Sequence, residues 1–291
     1  MTVPLPSGAA GASAAEILAG VRGWITAPAM RDLVGEFGGR LTGATTRELL
    51  NHLAEFSSAT WDFRRRTAVD ERHHVPGQEF TDAQITAVRA AASDLGLDRT
   101  AGPVQPAYEH VIVLGGRVSA CLRRMAHVEE LIRDGVGTAR IAALGSLRLL
   151  DEQERSLLTD AGPATYEVDA LRIAADNVFG AAPVIPVKVL AAPVGPGRRR
   201  ANTADTYLFW AQSARPAAGD RILVVTSRLY VPFQHCDALR VLRHLGCTLE
   251  TVGVPATAPP PIDRCLQEIH STIRAMRKLV TALDDGRDTP T

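Results

Sequence analysis

The spacing of apolar residues changes character near residue 105. Before it, apolar positions recur three and four apart, as in Ile17, Leu18 and Val21, or Ile85, Val88 and Ala92, the spacing of one helix face. Each such stretch follows a hydroxyl residue with Glu or Gln three positions on: Ser13 and Glu16, Thr45 and Glu48, Thr81 and Gln84. This is the reciprocal capping pattern of a helix start. Residues 13–104 are therefore predicted to be a helical region, closed by the connector Gly102-Pro103-Val104-Gln105-Pro106, whose Gly and Pro interrupt regular structure. Ahead of it, residues 1–12, with Ser7-Gly8-Ala9-Ala10-Gly11-Ala12, predict a disordered N-terminus.

After residue 105 short β-branched runs alternate with helical stretches. Strands are predicted at 111–114, 140–144, 184–190, 221–226 and 248–254, with helices around 118–133, 151–158, 167–177, 203–214 and 232–245. Such alternation is best satisfied by a parallel sheet covered on both faces and joined by right-handed crossovers. The fold class expected for residues 105–258 is thus α/β, a Rossmann-like sheet of about five strands. Residues 259–291 begin with three prolines and continue as an amphipathic helix over 262–283. That helix is expected to pack back on the body or to join two copies as a homo-oligomer.

Composition narrows the function classes. Lys plus Arg and Asp plus Glu both number 32, which removes the basic footprint of a protein that holds nucleic acid by its phosphates. Cys121, Cys236, Cys247 and Cys265 show neither paired metal spacing nor a dense disulfide framework, so reduced, buried thiols are expected. No apolar run reaches the roughly 18 residues of a membrane span, and no basic leader precedes an apolar core. A cytoplasmic protein with no membrane partner is the expectation.

In a parallel sheet, ligands bind in the crevice at the carboxyl ends of the strands, so the candidate site is read from the strand ends. These supply Gly115, Gly116 and Arg117; Gly145, Ser146 and Arg148; Arg198 to Arg200 with Asn202, Thr203 and Asp205; and Thr226, Ser227 and Arg228, followed by Tyr230 and Gln234. Glycines admit a ligand to the backbone, helix starts offer N–H groups, and guanidinium groups grip phosphate or carboxylate. The plainer reading is a tight Gly-Gly turn with solvated arginines. A dinucleotide fingerprint needs a third glycine and an acidic residue after the second strand; here that strand ends Leu144-Gly145-Ser146-Leu147-Arg148. NAD is disfavoured, and the usual ribose clamp of an adenosylmethionine enzyme is missing from the same place.

Glu167 at a helix start is a candidate general base, against simple stabilisation of that helix by negative charge. Asp205 is a second candidate for proton handling, with helix capping by Asn202 or Thr203 as its alternative. Thr226 and Ser227 lack a neighbouring base and a nucleophile-elbow motif, so hydrogen bonding is their expected role. His73, His74, His235 and His244 lack spaced partners, and no metal site is expected. Trp61, Phe63, Tyr207, Phe209 and Trp210 read as core, although residues 61–66 could lean over the crevice as a lid.

With these residues placed, the stretch 108–254 resembles the YdcF-like group, related to SanA and ElyC. The likeness is carried by Val113-Leu114-Gly115-Gly116, the Gly145-Ser146 turn, Glu167 at a helix start, Asn202-Thr203-Ala204-Asp205, and Val225-Thr226-Ser227. The resemblance implies a Rossmann-like fold with its pocket at those loops, and an association of one branch with adenosylmethionine. The chain departs from that pattern where Tyr230 stands for a His and Phe233 for an Arg. The resulting expectation is an enzyme that binds a small anionic or nucleotide-like metabolite and transfers or hydrolyses a group on it. A noncatalytic ligand-binding or sensor protein and an adenosylmethionine-dependent methyltransferase are the alternatives.

Overall fold

A computed structural model describes residues 2–63, 78–98, 101–158, 162–180, 183–195, 197, 200–256 and 258–285. Among the described residues four helices come first: α1 (Ala14–Ile25), α2 (Pro28–Glu36), α3 (Thr46–Thr60) and α4 (Asp82–Asp94). Helices α1, α3 and α4 open on capping boxes at Ser13, Thr45 and Thr81, where the hydroxyl accepts from the backbone of Glu16, Glu48 or Gln84 and that side chain accepts in return. Each box satisfies two N–H groups that a helix start leaves open. Helix α2 opens on Pro28 instead, whose missing N–H goes unneeded in the first turn.

The remaining elements are β1 (Ala107–Tyr108), β2 (His110–Leu114), α5 (Val118–Arg133), β3 (Gly137–Thr138), β4 (Ile141–Ser146), α6 (Glu152–Ser156), α7 (Glu167–Phe179), β5 (Val187–Ala192), α8 (Thr203–Ala214), β6 (Arg221–Ser227), α9 (Val231–Leu242), β7 (Thr248–Val254) and α10 (Ile262–Asp284). Five strands form one parallel sheet in the order β5-β4-β2-β6-β7, with Ile112 in register with Ala142 on one side and Val224 on the other. The chain builds outward from β2 to β5, then returns across β2 to lay down β6. That reversal places the switch-point crevice between the carboxyl ends of β2 and β6. The two-residue strands β1 and β3 pair separately; they are too short for any periodicity to reveal them.

Alternate strand residues face two different cores, as a sheet covered on both faces requires. Val111, Val113, Ile141, Ala143, Leu223 and Val225 pack with Val118, Met125, Leu171 and Ala174 of α5 and α7. Ile112, Leu114, Leu144, Ile222, Val224 and Leu249 join a larger cluster that includes Trp210, Leu239, Ile269 and Met276 and continues into Trp24, Met30, Leu53 and Trp61. The N-terminal helices and one face of the sheet therefore share a single hydrophobic core.

Helix α10 makes that joint. It packs against α3, α4 and α9 and buries Leu266, Ile269, Ile273, Met276 and Leu279 together with Gln267, Glu268, His270 and Thr272. Of the two expectations for the tail helix, packing on the body is the one observed. Its apolar face is consumed within the chain, so a joint between copies through that face loses its support.

Two local expectations need correction. The third sheet strand begins at Val187 rather than 184: Pro186 lacks a ladder N–H, and Val184 is fully exposed. The N-terminal segment, expected to be disordered, lies along the β7 edge. Leu249 donates its N–H to Gly8 O at 2.7 Å, Val3 donates to Asp94 O at 2.7 Å, and His235 Nε2 pairs with Pro6 O at 2.9 Å. A Cβ on Gly8 would stand 2.0 Å from Leu249 O, so the small residue permits a close backbone approach that covers part of a sheet edge. Among the described residues no helix is long and apolar enough to cross a membrane.

Candidate functional site

The carboxyl ends of β2 and β4 are tied together, Gly115 N–H donating to Leu144 O at 2.7 Å. A Cβ on Gly115 would meet Glu167 Oε1 at 2.1 Å and Leu144 O at 2.9 Å. Glycine is required here by the protein's own carboxylate, with no ligand needed to explain it. Gly116 is different, its nearest neighbour being the Arg124 guanidinium at 3.4 Å.

Glu167 opens α7 and is 9% exposed. Ser146 Oγ donates to its Oε2 at 2.9 Å, and Arg148 Nε lies 3.5 Å from the same oxygen. Burial pushes this carboxyl above its ordinary range, outweighing the opposing pull of Arg148, the Ser146 hydrogen bond, Arg200 and Arg124. The result is a desolvated carboxyl framed by guanidinium groups, a setting in which a proton can be held or released by small local changes.

Arg124, which the sequence reading did not single out, spans the switch point itself. Its Nη1 donates to Leu114 O at 2.6 Å and Gly115 O at 2.5 Å, while Nε and Nη2 reach Ser227 Oγ at 3.2 and 3.0 Å. The Tyr230 ring lies 5.9 Å from the guanidinium carbon. Arg124 thus ties the ends of β2 and β6 together and is itself only 1% exposed. Its signal was present: on α5 it shares the stripe of Val118, Cys121, Met125 and Val128, all buried, and a charge on an apolar stripe needs internal partners.

Glu154 on α6 is the other missed residue, fully buried at 0% exposure. Arg148 grips it with Nη1 at 2.7 Å and Nη2 at 2.8 Å, Val118 N–H donates to it at 3.2 Å, and Arg117 Nε stands 4.0 Å away. Burial pushes the Glu154 carboxyl up, but the Arg148 guanidinium and the N–H groups of Asp151 and Val118 together hold it below its ordinary range. Helix starts attract anions, and at the start of α5 the anion is this internal carboxylate. Arg148 also donates to Gly116 O at 3.0 Å, and Arg117 to Asp151 at 3.2 Å and Gln153 at 3.1 Å. Four guanidinium groups (Arg117, Arg124, Arg148, Arg200) therefore surround three carboxylates (Asp151, Glu154, Glu167).

The structure thus brings together Gly115, Gly116, Arg117, Ser146, Arg148, Glu167, Ser227 and Tyr230. Asn202 and Asp205 form a capping box at the start of α8, each side chain accepting from the other's N–H at 3.1 and 2.9 Å, and Thr203 O accepts from Thr206. Among the described residues no hydrogen bond links Asn202 or Thr203 to the charged cluster; Arg200, two residues earlier, is the link, through its charge on Glu167. Thr226 is wholly buried. Gln234 is buried where Tyr207 Oη donates to its carbonyl at 3.3 Å. Arg198, Arg199, His73, His74 and Arg64 to Arg66 lie outside the described residues.

Of the lid expected at residues 61–66, Trp61, Asp62 and Phe63 are buried away from the strand ends, and residues 64–66 lie outside the described residues. Trp61 is buried in the N-terminal core, edge-on to Phe37 and Phe56. His235 is spent on Pro6 O and Thr251 Oγ. All four cysteines are free and buried, with burial pushing the Cys121 thiol up to about 12. Among the described residues no group of three or more His, Cys, Asp or Glu side chains is arranged to hold a metal ion. Beside Arg148 and Glu167 in the chain, Leu147, Leu149 and Tyr166 stay exposed, and Leu149 pairs with Tyr166 through an isolated antiparallel bridge.

Comparison with known proteins gives the chain different relatives from those the strand-end motifs suggested. Residues 8–96 match the family described as Rv3785 N-terminal domain. The chain is similar to the uncharacterized protein Rv3785 of Mycobacterium tuberculosis and the uncharacterized protein Mb3814 of Mycobacterium bovis. In both cases it is 27% identical over 91% of this chain and 90% of the relative. No solved structure matches. The resemblance to the YdcF-like group is overturned: the matches are to Rv3785 proteins, and nothing found supports a YdcF relationship. The physical reason lies in the motif pieces. Gly115 yields room to Glu167, Asn202 caps a helix, and Thr226 is a buried residue of β6, structural duties that identify no family.

Proposed function

We propose that the protein binds a small anionic or nucleotide-like metabolite in the crevice at the carboxyl ends of β2 and β4 and transfers or hydrolyses a group on it, Glu167 handling a proton. One observation carries this reading: a buried carboxyl raised by desolvation sits at the carboxyl ends of the strands among Arg124, Arg148 and Arg200, one strand from the β2–β6 switch point that Arg124 spans. With Glu167 ionised the cluster holds one positive charge more than it holds negative; with Glu167 protonated, two. An anion entering there raises the proton affinity of Glu167, so binding is coupled to proton uptake. The exposed Leu147, Leu149 and Tyr166 beside it suit the flat or apolar body of a nucleotide-like ligand.

A noncatalytic binding role is the second reading, favoured by the lack of an activated nucleophile: Ser227 Oγ accepts from Arg124, and Thr226 and the cysteines are buried. Native mass spectrometry of the purified protein, followed by titration calorimetry with AMP in buffers of differing ionisation enthalpy, tests both. Expected are a retained anionic small molecule and binding with proton uptake that disappears in Glu167→Gln. Absence of any retained molecule together with no AMP binding at millimolar concentration rejects the proposal. Turnover of the bound molecule separates enzyme from binder.

A further inference from the structure

We propose a second ligand site, independent of the strand ends: the cavity between α3 and α10 takes a small dipolar molecule that carries an anionic group at one end and an ammonium at the other. The cavity measures about 740 Å³ and is lined by Ala54, Glu55, Ser58, Ala59, Asp62, His270, Arg274 and Arg277, within the roughly 300–1,000 Å³ of small-molecule sites. Its walls are chemically opposed. On α10, His270, Arg274 and Arg277 stand four and three residues apart and so form one stripe. The α3 side presents Glu55, with Asp62 just beyond the helix end.

Opposite charges that face one cavity ordinarily close on each other. Among the described residues, however, Glu55, Arg274 and Arg277 have no ion-pair partner, and the small side chains of Ala54 and Ala59 keep the space open. Arg274 and Arg277 lie one turn apart, where like charges repel unless an anion is shared between them; paired guanidinium groups suit a carboxylate or phosphate. Glu55 supplies an acceptor for an ammonium across the gap.

Behind them the floor is fixed. His270 is 1% exposed, its Nδ1 2.8 Å from Ser57 Oγ and its Nε2 3.5 Å from Asp62 Oδ2. Despite the Ser-His-Asp composition, Ser57 is 0% exposed and cannot reach a substrate. The trio orients the imidazole and the Asp62 carboxylate toward the cavity; it is a binding floor, with no nucleophile in it.

The test is calorimetric titration of the full chain with glycine, 4-aminobutyrate and 6-aminohexanoate, which step the separation of the two charges, beside hexanoate and hexylamine. One of the amino acids is expected to bind about ten-fold tighter than either single-ended compound, and both Glu55→Gln and the pair Arg274→Gln with Arg277→Gln to weaken it about as much. All three positions are exposed, so unchanged melting temperatures are expected and confirm folding. Equal binding of hexanoate, full affinity retained in the variants, or no binding of any amino acid at millimolar concentration overturns the proposal.

Discussion

The strand-end cluster and the α3–α10 cavity are both rich in arginine and carboxylate, yet their charges live in different environments. At the strand ends Arg124, Glu154 and Glu167 are buried, and every one of them is bonded to backbone or to an opposite charge. In the cavity Glu55, Arg274 and Arg277 remain in water. A desolvated charge is tolerable only when its partners stay in place, so the first group holds the fold together whether or not it also serves the proposed ligand. The second is free to serve a ligand alone.

The largest effect that could break this contrast is expected at Arg124. Arg124→Met keeps the length of the side chain but strands the carbonyls of Leu114 and Gly115, with a loss of about 3 kcal/mol in urea denaturation. Arg148→Ala belongs to the same class. It leaves Glu154 buried without its bidentate partner, so this change loses stability along with any anion contact and cannot serve as a clean binding mutant. A loss below about 1 kcal/mol in Arg124→Met would show that the cluster is not structural, and the contrast with the cavity would disappear.

A finer test lies within one dipeptide. Gly115→Ala drives a Cβ into the Glu167 carboxylate, whereas Gly116→Ala meets the end of Arg124 at 3.4 Å, a movable contact. The first is expected to cost about 1–3 kcal/mol by overpacking, and the second less than about 0.5 kcal/mol. Equal costs in thermal melts would mean that Glu167 moves aside freely, which contradicts a carboxyl held by Ser146 and Arg148.

What was legible in the sequence follows the range of each interaction. Capping boxes at Ser13, Thr45 and Thr81 span three residues, and alternation of strand and helix needs only local period, so the α/β class and the parallel sheet could be read directly. The candidate cluster was legible in outline, because Gly115, Ser146, Arg148 and Glu167 stand at strand ends and a helix start that the local alternation predicts. Its partners were not. Arg124 meets Ser227 across 103 residues, and Ser57 meets His270 across 213; no local pattern announces either pairing. The N-terminal segment was misread for a related reason. A run of small residues has the composition of a flexible tail, and only the β7 edge, supplied from the far end of the chain, shows why Gly8 must be small.

The smallest expected effect concerns the proton on Glu167. Burial raises its carboxyl in the folded protein above the ordinary value of 4.5, so the folded state binds the proton more tightly than the unfolded chain does. Stability from this group is complete at acid pH below that value and is lost as pH rises through the raised folded value. Glu167→Gln lacks this dependence while keeping a group that can accept from Ser146. The variant should therefore gain stability relative to the natural protein as denaturation experiments move from acid to neutral pH, by less than the Gly115→Ala loss. Should the variant instead lose ground as pH rises, the guanidinium groups outweigh burial and Glu167 is a permanently ionised member of an ion-pair network. In that case the strand-end cluster keeps its structural role, proton-coupled anion binding loses its carrier, and the α3–α10 cavity becomes the better place to look for a ligand.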